Sequence, residues 1–316
     1  MPSSKSSPRP KASDPLTPMR SVSFEAIGTH WTIESFQALS ATKWRQLLVL
    51  VEARIEAFDR SYSRFRDDSV VAEMSRQAGT YKLPGDAQPM LNLYHDLYSI
   101  TDGAMTPLIG STIAAAGYDA AYDLSKRILP EDLPAPPKWE EVIEYDFPHL
   151  TLKRPVLLDF GAAGKGYLVD IIGALLQEHG VKDFCIDAGG DILYRMSTSV
   201  MMPIGLEHPG NPEQAIGVAQ ISNQSLCGSA GNRRAWGEYH HVIDAHSRTS
   251  PRHIKAVWVT AETALLADAL TTALYFAPAK ALARKYEFEF AAVMQDDSLV
   301  HSSGFPASFF TGETAA

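Results

Sequence analysis

The segment 158–170, which reads L-D-F-G-A-A-G-K-G-Y-L-V-D, has the residue types of a binding site for phosphate groups. A hydrophobic stretch leads into a turn of small residues, and a helix is predicted to follow. Gly161, Gly164 and Gly166 let backbone N–H groups approach an anion closely, and the amides that begin a helix favour negative charge. Lys165 adds a mobile cation. The spacing differs from the Walker A and G-x-G-x-x-G patterns, so a turn without a ligand is an equal alternative.

A carboxylate and a hydroxyl lie four residues apart in the segment A-D-A-L-T-T-A, residues 267–273. On a helix, Asp268 and Thr272 share one face. These oxygen donors suit a hard cation such as Mg²⁺. The neighbouring residues are nearly all apolar, which argues against the alternative of a solvated polar stripe.

Two adjacent histidines, His240 and His241, fall in a predicted strand, 239–244. Neighbouring strand residues face opposite sides, so at most one of them points into a given site. A structural, hydrogen-bonded pair is the commoner alternative. The turn 187–191 is either a ligand contact or only a turn. Together, these segments indicate phosphoryl chemistry on a nucleotide.

The elements that must position these residues follow from periodicity and turn signals. Helices are predicted over 43–59, 70–75, 87–101, 167–179, 262–276 and 278–286, and strands over 24–35, 183–187, 216–222, 239–244, 255–261 and 288–295. The proline-rich stretch 119–150 is predicted to be a long loop with a short helix at 139–143. Strands and helices mix without strict alternation, which predicts one α+β domain around a mixed or antiparallel sheet.

Composition excludes several classes of protein. The 316 residues carry a net charge of −9 without a basic block, so nucleic acid is not an expected partner. No apolar run is long enough to cross a membrane.

Residues 1–20 are rich in Ser, Pro and Lys and are predicted to be a disordered tail before a domain at 21–316. Cys185 and Cys227 form no C-x-x-C pair, and we expect a cytoplasmic protein.

The order of these motifs resembles the ApbE family of FAD:protein FMN transferases over about residues 24–276. The resemblance is carried by L-D-x-G-x-x-x-K-G-x-x-x-D at 158–170, A-D-x-x-x-T-A at 267–273, H-V-I-D at 241–244, and segments 27–29, 63–69, 101–104 and 187–191. It implies a single α+β domain that binds FAD with Mg²⁺. It also implies transfer of FMN to a Thr or Ser hydroxyl of an acceptor protein, with release of AMP.

The resemblance also assigns roles by position. It implies that Asp268, Thr272 and the carbonyl of Gly164 hold the metal, and that His241 activates the acceptor hydroxyl. His241 is then expected to point into the FAD cleft and His240 away from it. The remaining implied contacts are Lys165 and the Gly161–Gly166 turn at the phosphates, Phe65 near the flavin, and Gly189, Gly190 and Asp191 at the nucleotide.

Three segments depart from the family pattern. The usual D-P-x-T-G is D-A-H-S-R at 244–248, G-A-F-D is G-A-M-T at 103–106, and T-S-G-x-Y is G-S-A-G-N at 228–232. Two further hypotheses therefore stand beside flavin transfer: an FAD pyrophosphatase, and an FAD-binding protein without catalysis. Retention of His241, Asp268 and Thr272 argues against the non-catalytic alternative.

Overall fold

A computed structural model describes residues 16–120, 128–232 and 234–310. Its strands are β1 (Arg20–Ala26), β2 (Thr29–Ser35), β3 (Gly79–Lys82), β4 (Ile143–Asp146), β5 (His149–Leu152), β6 (Phe184–Ala188), β7 (Asp191–Arg195), β8 (Met202–His208), β9 (Asn211–Ile221), β10 (Ser225–Ala230), β11 (Ala235–Trp236), β12 (Tyr239–His240), β13 (Ile254–Ala261), β14 (Glu289–Met294), β15 (Leu299–His301) and β16 (Ala307–Phe309). Its α-helices are α1 (Ala41–Tyr62), α2 (Val70–Arg76), α3 (Gln88–Ile100), α4 (Gly110–Ala115), α5 (Trp139–Val142), α6 (Gly164–Glu178), α7 (Ala264–Ala273) and α8 (Ala279–Leu282).

A central sheet organises the fold, with the strand order β1-β2-β6-β7-β10-β13-β14-β15. All neighbouring strands in it are antiparallel. Strand β13 is buried on both faces, because Val257 and Val259 pack with the helices while Ala256 and Trp258 pack on the opposite side. This alternation follows from the two-residue period of a strand.

The two faces of the central sheet are covered differently. Residues of α6 and α7 join the larger hydrophobic core on one face. The small sheet β16-β9-β8 covers the other face through Leu206, Ala219 and Ile221. A second small sheet, β3-β5-β4, and the two-stranded β11-β12 complete the described architecture. The predicted α+β fold with an antiparallel sheet is confirmed.

Three element boundaries differ from the predictions near the site. The predicted strand 24–35 is a hairpin, because Ile27 and Gly28 have φ of 45° and 75° and form a tight turn. The helix predicted from residue 167 begins at Gly164, so the glycines belong to its first turn. The strand predicted over 239–244 ends at His240. The His240 N–H donates to the Ser250 hydroxyl, and the same hydroxyl donates to the His240 carbonyl, so no strand among the described residues pairs along this edge at His240.

The ends of the predicted domain and loop lie partly outside the described residues. Strand β1 begins at Arg20, one residue before the predicted boundary, whereas residues 1–15 of the predicted tail are not described. The short helix predicted at 139–143 is α5, but 121–127 of the same loop are not described. Among the described residues, no helix combines the length and apolar character needed to cross a membrane.

Candidate active site

A cleft of about 690 Å³ lies where α6 begins, beside the second half of α7, the β1–β2 turn and the segment that follows α1. Its size is within the range of sites for small molecules and cofactors. Of the residues predicted for the site, Phe65, Gly161, Gly164, Lys165, Gly189, His241, Asp268 and Thr272 line it. Gly166, Gly190 and Asp191 are not among its lining residues.

Glycine occupies positions 161, 164 and 166 of the 161–166 turn in different structural environments. Gly161 donates its N–H to Asp159 Oδ1 at 2.7 Å, which closes the turn before α6. A Cβ at Gly164 would meet Phe160 Cβ at 3.6 Å, an ordinary contact. A Cβ at Gly166 would collide with the Ala264 carbonyl and lie 2.6 Å from Asp268 Cβ. Gly166 is therefore required by the close contact between α6 and α7.

Two carboxylates join α6 to α7. Asp170 accepts hydrogen bonds from the N–H groups of Ala264 and Leu265 at 2.9 and 2.7 Å, and so caps the start of α7. Burial raises the pKa of Asp170 to about 6, although the two amides partly offset it. Asp268 accepts the N–H of Gly166 at 2.9 Å in return. The last position of the L-D-x-G-x-x-x-K-G-x-x-x-D motif thus fixes the helix that carries Asp268.

Oxygen donors of three kinds line the cleft at this contact between helices. Asp268 is 7% exposed, and burial and then the nearby Asp191 carboxylate raise its pKa well above the ordinary value. Thr272 follows one turn later, and Gly164 contributes its backbone. A carboxylate, a hydroxyl and a carbonyl fit a hard cation such as Mg²⁺. No cluster of three or more His, Cys, Asp or Glu side chains suited to a metal occurs in the described parts of the chain.

Lys165 has a fixed partner instead of the predicted mobility. Its Nζ forms an ion pair with Oδ2 of Asp191, which is fully buried. Burial alone would lower the pKa of Lys165, but the Asp191 and Asp268 carboxylates outweigh it and raise the pKa. Of the turn 187–191, Gly189 faces the cleft with φ of 64°, and Asp191 points into the protein. The structure thus places Asp191 behind Lys165, away from the cleft where a nucleotide contact was expected.

The two histidines have distinct environments. His240 is satisfied on both ring nitrogens: Nδ1 accepts the N–H of Val242 at 3.2 Å, and Nε2 lies 2.8 Å from the Pro251 carbonyl. His241 lines the cleft, with Nε2 at 3.4 Å from Ser229 Oγ and a buried Nδ1 that has no hydrogen-bond partner in the structure. Burial, then the charge of Arg234, lowers the pKa of His241 to about 3. His241 is therefore neutral at pH 7, with one ring nitrogen available as a hydrogen-bond acceptor.

An aromatic wall of the cleft includes residues that were not predicted from the sequence. Phe65 is 38% exposed, and its ring centroid lies 5.5 Å from that of Tyr118. The guanidinium of Arg64 lies 4.1 Å from the Phe65 centroid and 4.9 Å from the Tyr118 centroid, and it pairs with Asp159. Tyr118 lies between the predicted helix 87–101 and the predicted loop 119–150, so no periodic signal marked it.

Two departures from the family pattern retain a turn function. Asp244 Oδ1 accepts the N–H groups of His246 and Ser247 at 2.7 and 3.2 Å. Arg248 adopts φ of 58°, and its guanidinium donates to the Leu133 carbonyl at 2.7 Å. Thr106 replaces a carboxylate, yet its hydroxyl still accepts the N–H of Leu108 at 3.2 Å.

Solved structures share this fold. The flavin transferase ApbE from Vibrio cholerae matches with a TM-score of 0.73 and 17% identity, covering 90% of this chain and 98% of that chain. The ApbE protein of Thermotoga maritima matches with a TM-score of 0.73 and 18% identity, covering 90% and 97%. These likenesses define the class of protein as the α+β fold of the solved ApbE structures.

Sequence comparison defines the family. The ApbE family model matches residues 27–294, and the chain belongs to the ApbE family. An FAD:protein FMN transferase from Klebsiella pneumoniae is 24% identical over 273 residues, which span 79% of this chain and 76% of the relative. One from Treponema pallidum is 24% identical over 286 residues, with the same two shares. The resemblance noted in the sequence is confirmed.

Proposed function

We propose that this chain transfers the FMN part of FAD to a Thr or Ser hydroxyl of an acceptor protein in a Mg²⁺-dependent reaction that releases AMP. The observation that carries the proposal is the neutral His241, which faces the same cleft as the oxygen donors of Gly164, Asp268 and Thr272. The relatives in the ApbE family bear the name FAD:protein FMN transferase, which supports the choice of substrate.

FAD is expected to lie along the cleft with its flavin near Phe65 and its pyrophosphate near the start of α6. The exposed part of the Phe65 ring offers an aromatic surface for the isoalloxazine. The first turn of α6 faces the cleft through Gly164 and Lys165, and the positive end of the helix dipole favours phosphate oxygens there. Gly161 and Gly189 also line the cleft, where a backbone without a side chain permits close approach of a ligand.

Asp268, Thr272 and the Gly164 carbonyl are the residues that would hold Mg²⁺. When bound, this ion supplies positive charge that neutralises charge developing on the transferred phosphoryl group. Asp268 is the one carboxylate in this donor set. Its position depends on Asp170 and Gly166, which join α6 to α7.

His241 is proposed as the general base for the acceptor. The acceptor oxygen forms a bond to the flavin-side phosphorus while the bond from that phosphorus to the bridging oxygen breaks. The electron pair of the broken bond leaves on AMP, and the hydroxyl proton passes to His241. A phosphoester-linked flavin results. Water in place of the acceptor would make the chain an FAD pyrophosphatase.

The acceptor is proposed to be a cytoplasmic flavoprotein with a target Thr or Ser. Cys185 and Cys227 are buried, unpaired thiols, as is common in a reducing compartment.

Co-expression with candidate acceptor proteins tests the proposal. Wild-type chain should give a fluorescent flavin band on the acceptor in a denaturing gel, and Asp268→Ala should give none although it remains folded. Asp96→Ala is a matched control, because that carboxylate pairs with Lys285 outside the cleft. A fluorescent acceptor in the Asp268→Ala culture would contradict the metal assignment. AMP release without a labelled acceptor would favour the pyrophosphatase.

A further inference from the structure

Four basic side chains line the cleft: Arg64, Arg66, Lys165 and Arg234. Three of them have carboxylate partners. Arg64 pairs with Asp159, Arg66 with Glu56, Asp59 and Asp68, and Lys165 with Asp191. Across residues 16–120, 128–232 and 234–310, no carboxylate forms an ion pair with Arg234. Among the described cations of the cleft, Arg234 is therefore the one whose charge is left for a ligand.

The backbone fixes Arg234 beside His241. Strands β11 and β12 pair Ala235 with His240, and the hydrogen bond from the His241 N–H to the Arg234 carbonyl, 3.1 Å, extends this pairing by one residue. Residues directly opposite in an antiparallel pair project to the same side. Both side chains accordingly line the cleft.

The Arg234 guanidinium also faces the aromatic wall. It lies 6.0 Å from the centroid of Tyr118, whose ring contacts Phe65. Arg234 is half-buried, so a hydrogen bond from it to an anion would be less screened than one on an open surface. A planar guanidinium with several N–H donors matches the oxygens of a phosphate group.

We propose that Arg234 binds the flavin-side phosphate of FAD, the group that is transferred. This assignment rests on the proposed function. Arg234 neighbours the base that deprotonates the attacking hydroxyl, and it lies on the side of the cleft where the flavin is expected. A guanidinium at this position stabilises negative charge on the phosphoryl oxygens, both in bound FAD and during transfer.

The affinity ratio between FMN and riboflavin isolates this contact, because the two ligands differ only in the phosphate. Flavin fluorescence titration of the full chain with FMN, riboflavin and FAD measures it. Arg234→Gln should weaken FMN and FAD about 10- to 100-fold, as expected for a charge-assisted hydrogen bond, and leave riboflavin unchanged. Arg234→Lys should recover part of the loss.

Arg252→Gln is the matched control. Arg252 belongs to the same part of the chain but pairs with exposed Glu238 outside the cleft, so its removal should change no flavin affinity. An unchanged FMN-to-riboflavin affinity ratio in Arg234→Gln would overturn the assignment, whether both affinities stay at the wild-type value or both fall equally. If wild-type chain binds FAD in either case, the proposed function survives. Absence of FAD binding by the wild type would overturn both.

Discussion

At the scale of single residues, two adjacent histidines are separated by their hydrogen bonds. His240 uses both ring nitrogens within the protein, whereas His241 keeps a buried Nδ1 without a partner and faces the cleft. The expectation that His241 lies in the cleft and His240 does not agrees with this placement, although the strand on which it was based ends at His240. The hydrogen bond from the His241 N–H to the Arg234 carbonyl extends the β11–β12 pairing by one residue, so strand alternation still places the two histidines on opposite sides.

Replacement of His241 should affect transfer, whereas replacement of His240 should affect stability. His241→Ala is expected to reduce FMN transfer about 10²–10⁴-fold, the usual contribution of a general base, with FAD affinity nearly unchanged. His240→Ala should instead lower the free energy of unfolding by about 1–3 kcal/mol, because the Val242 N–H loses its buried acceptor. FAD titration, thermal melting and acceptor labelling of both variants check this. Wild-type transfer by His241→Ala would remove it from the mechanism.

The low pKa of His241 should also appear in acid stability. Its pKa is about 3 in the folded chain and about 6.5 when unfolded, so below pH 6.5 the unfolded chain binds the proton first. This residue therefore makes stability fall as pH falls from 6.5 toward 3. His241→Asn lacks that contribution, and its melting temperature should fall less than that of wild type between pH 7 and 4.5. Parallel melting curves would contradict a buried, neutral His241.

Residue types on their own did not reveal which charges are paired. The sequence predicted ligand contacts for Lys165 and Asp191, whereas their ion pair, which joins α6 to β7, depends on the three-dimensional packing. Arg234 was missed because two adjacent arginines in a polar segment carry no periodic or motif signal. Its importance emerges only when the partners of the other cations are known.

At the scale of elements, the contact between α6 and α7 organises the site. Asp170 of α6 caps α7, and Asp268 of α7 accepts the N–H of Gly166 in α6. These reciprocal bonds hold the two helices in one relative position. The spacing of the two motifs was readable from the sequence, whereas the contact that explains Gly166 and Asp170 was not.

Two glycines of α6 offer a matched pair of substitutions. Gly164→Ala places a Cβ in ordinary contact with Phe160 and should be neutral or stabilise the chain by about 0.4–1 kcal/mol through the unfolded state. Gly166→Ala drives a Cβ into the Ala264 carbonyl and should destabilise by about 1–3 kcal/mol or more.

Urea unfolding of both variants measures the difference, and flavin transfer shows whether the metal donors move. Equal stability of the two would contradict the close approach of α6 and α7. A Gly164→Ala variant with wild-type transfer would agree with a role for its backbone carbonyl alone.

At the scale of the whole molecule, a sheet buried on both faces supports a cleft at one end of the helical layer. Periodicity predicted the main helices and the segments that form β1, β2, β6, β13 and β14 of this sheet, but not β7, β10 or β15. It also missed the β1–β2 turn and, apart from the predicted strand 216–222 in β9, the two small sheets, because short strands and consecutive positive φ angles leave little pattern. Residues from Phe65 to Thr272 meet in the cleft, and only the family resemblance predicted that they would.

The most direct test of flavin transfer measures both products of one reaction. Purified chain is incubated with FAD, Mg²⁺ and a candidate acceptor, and AMP is quantified together with the intact mass of the acceptor. The account predicts one AMP for each acceptor that gains the mass of an FMN unit, and loss of both products when EDTA removes the metal. AMP formed without a mass gain would contradict transfer in favour of hydrolysis, and bound FAD that yields neither product would contradict catalysis altogether.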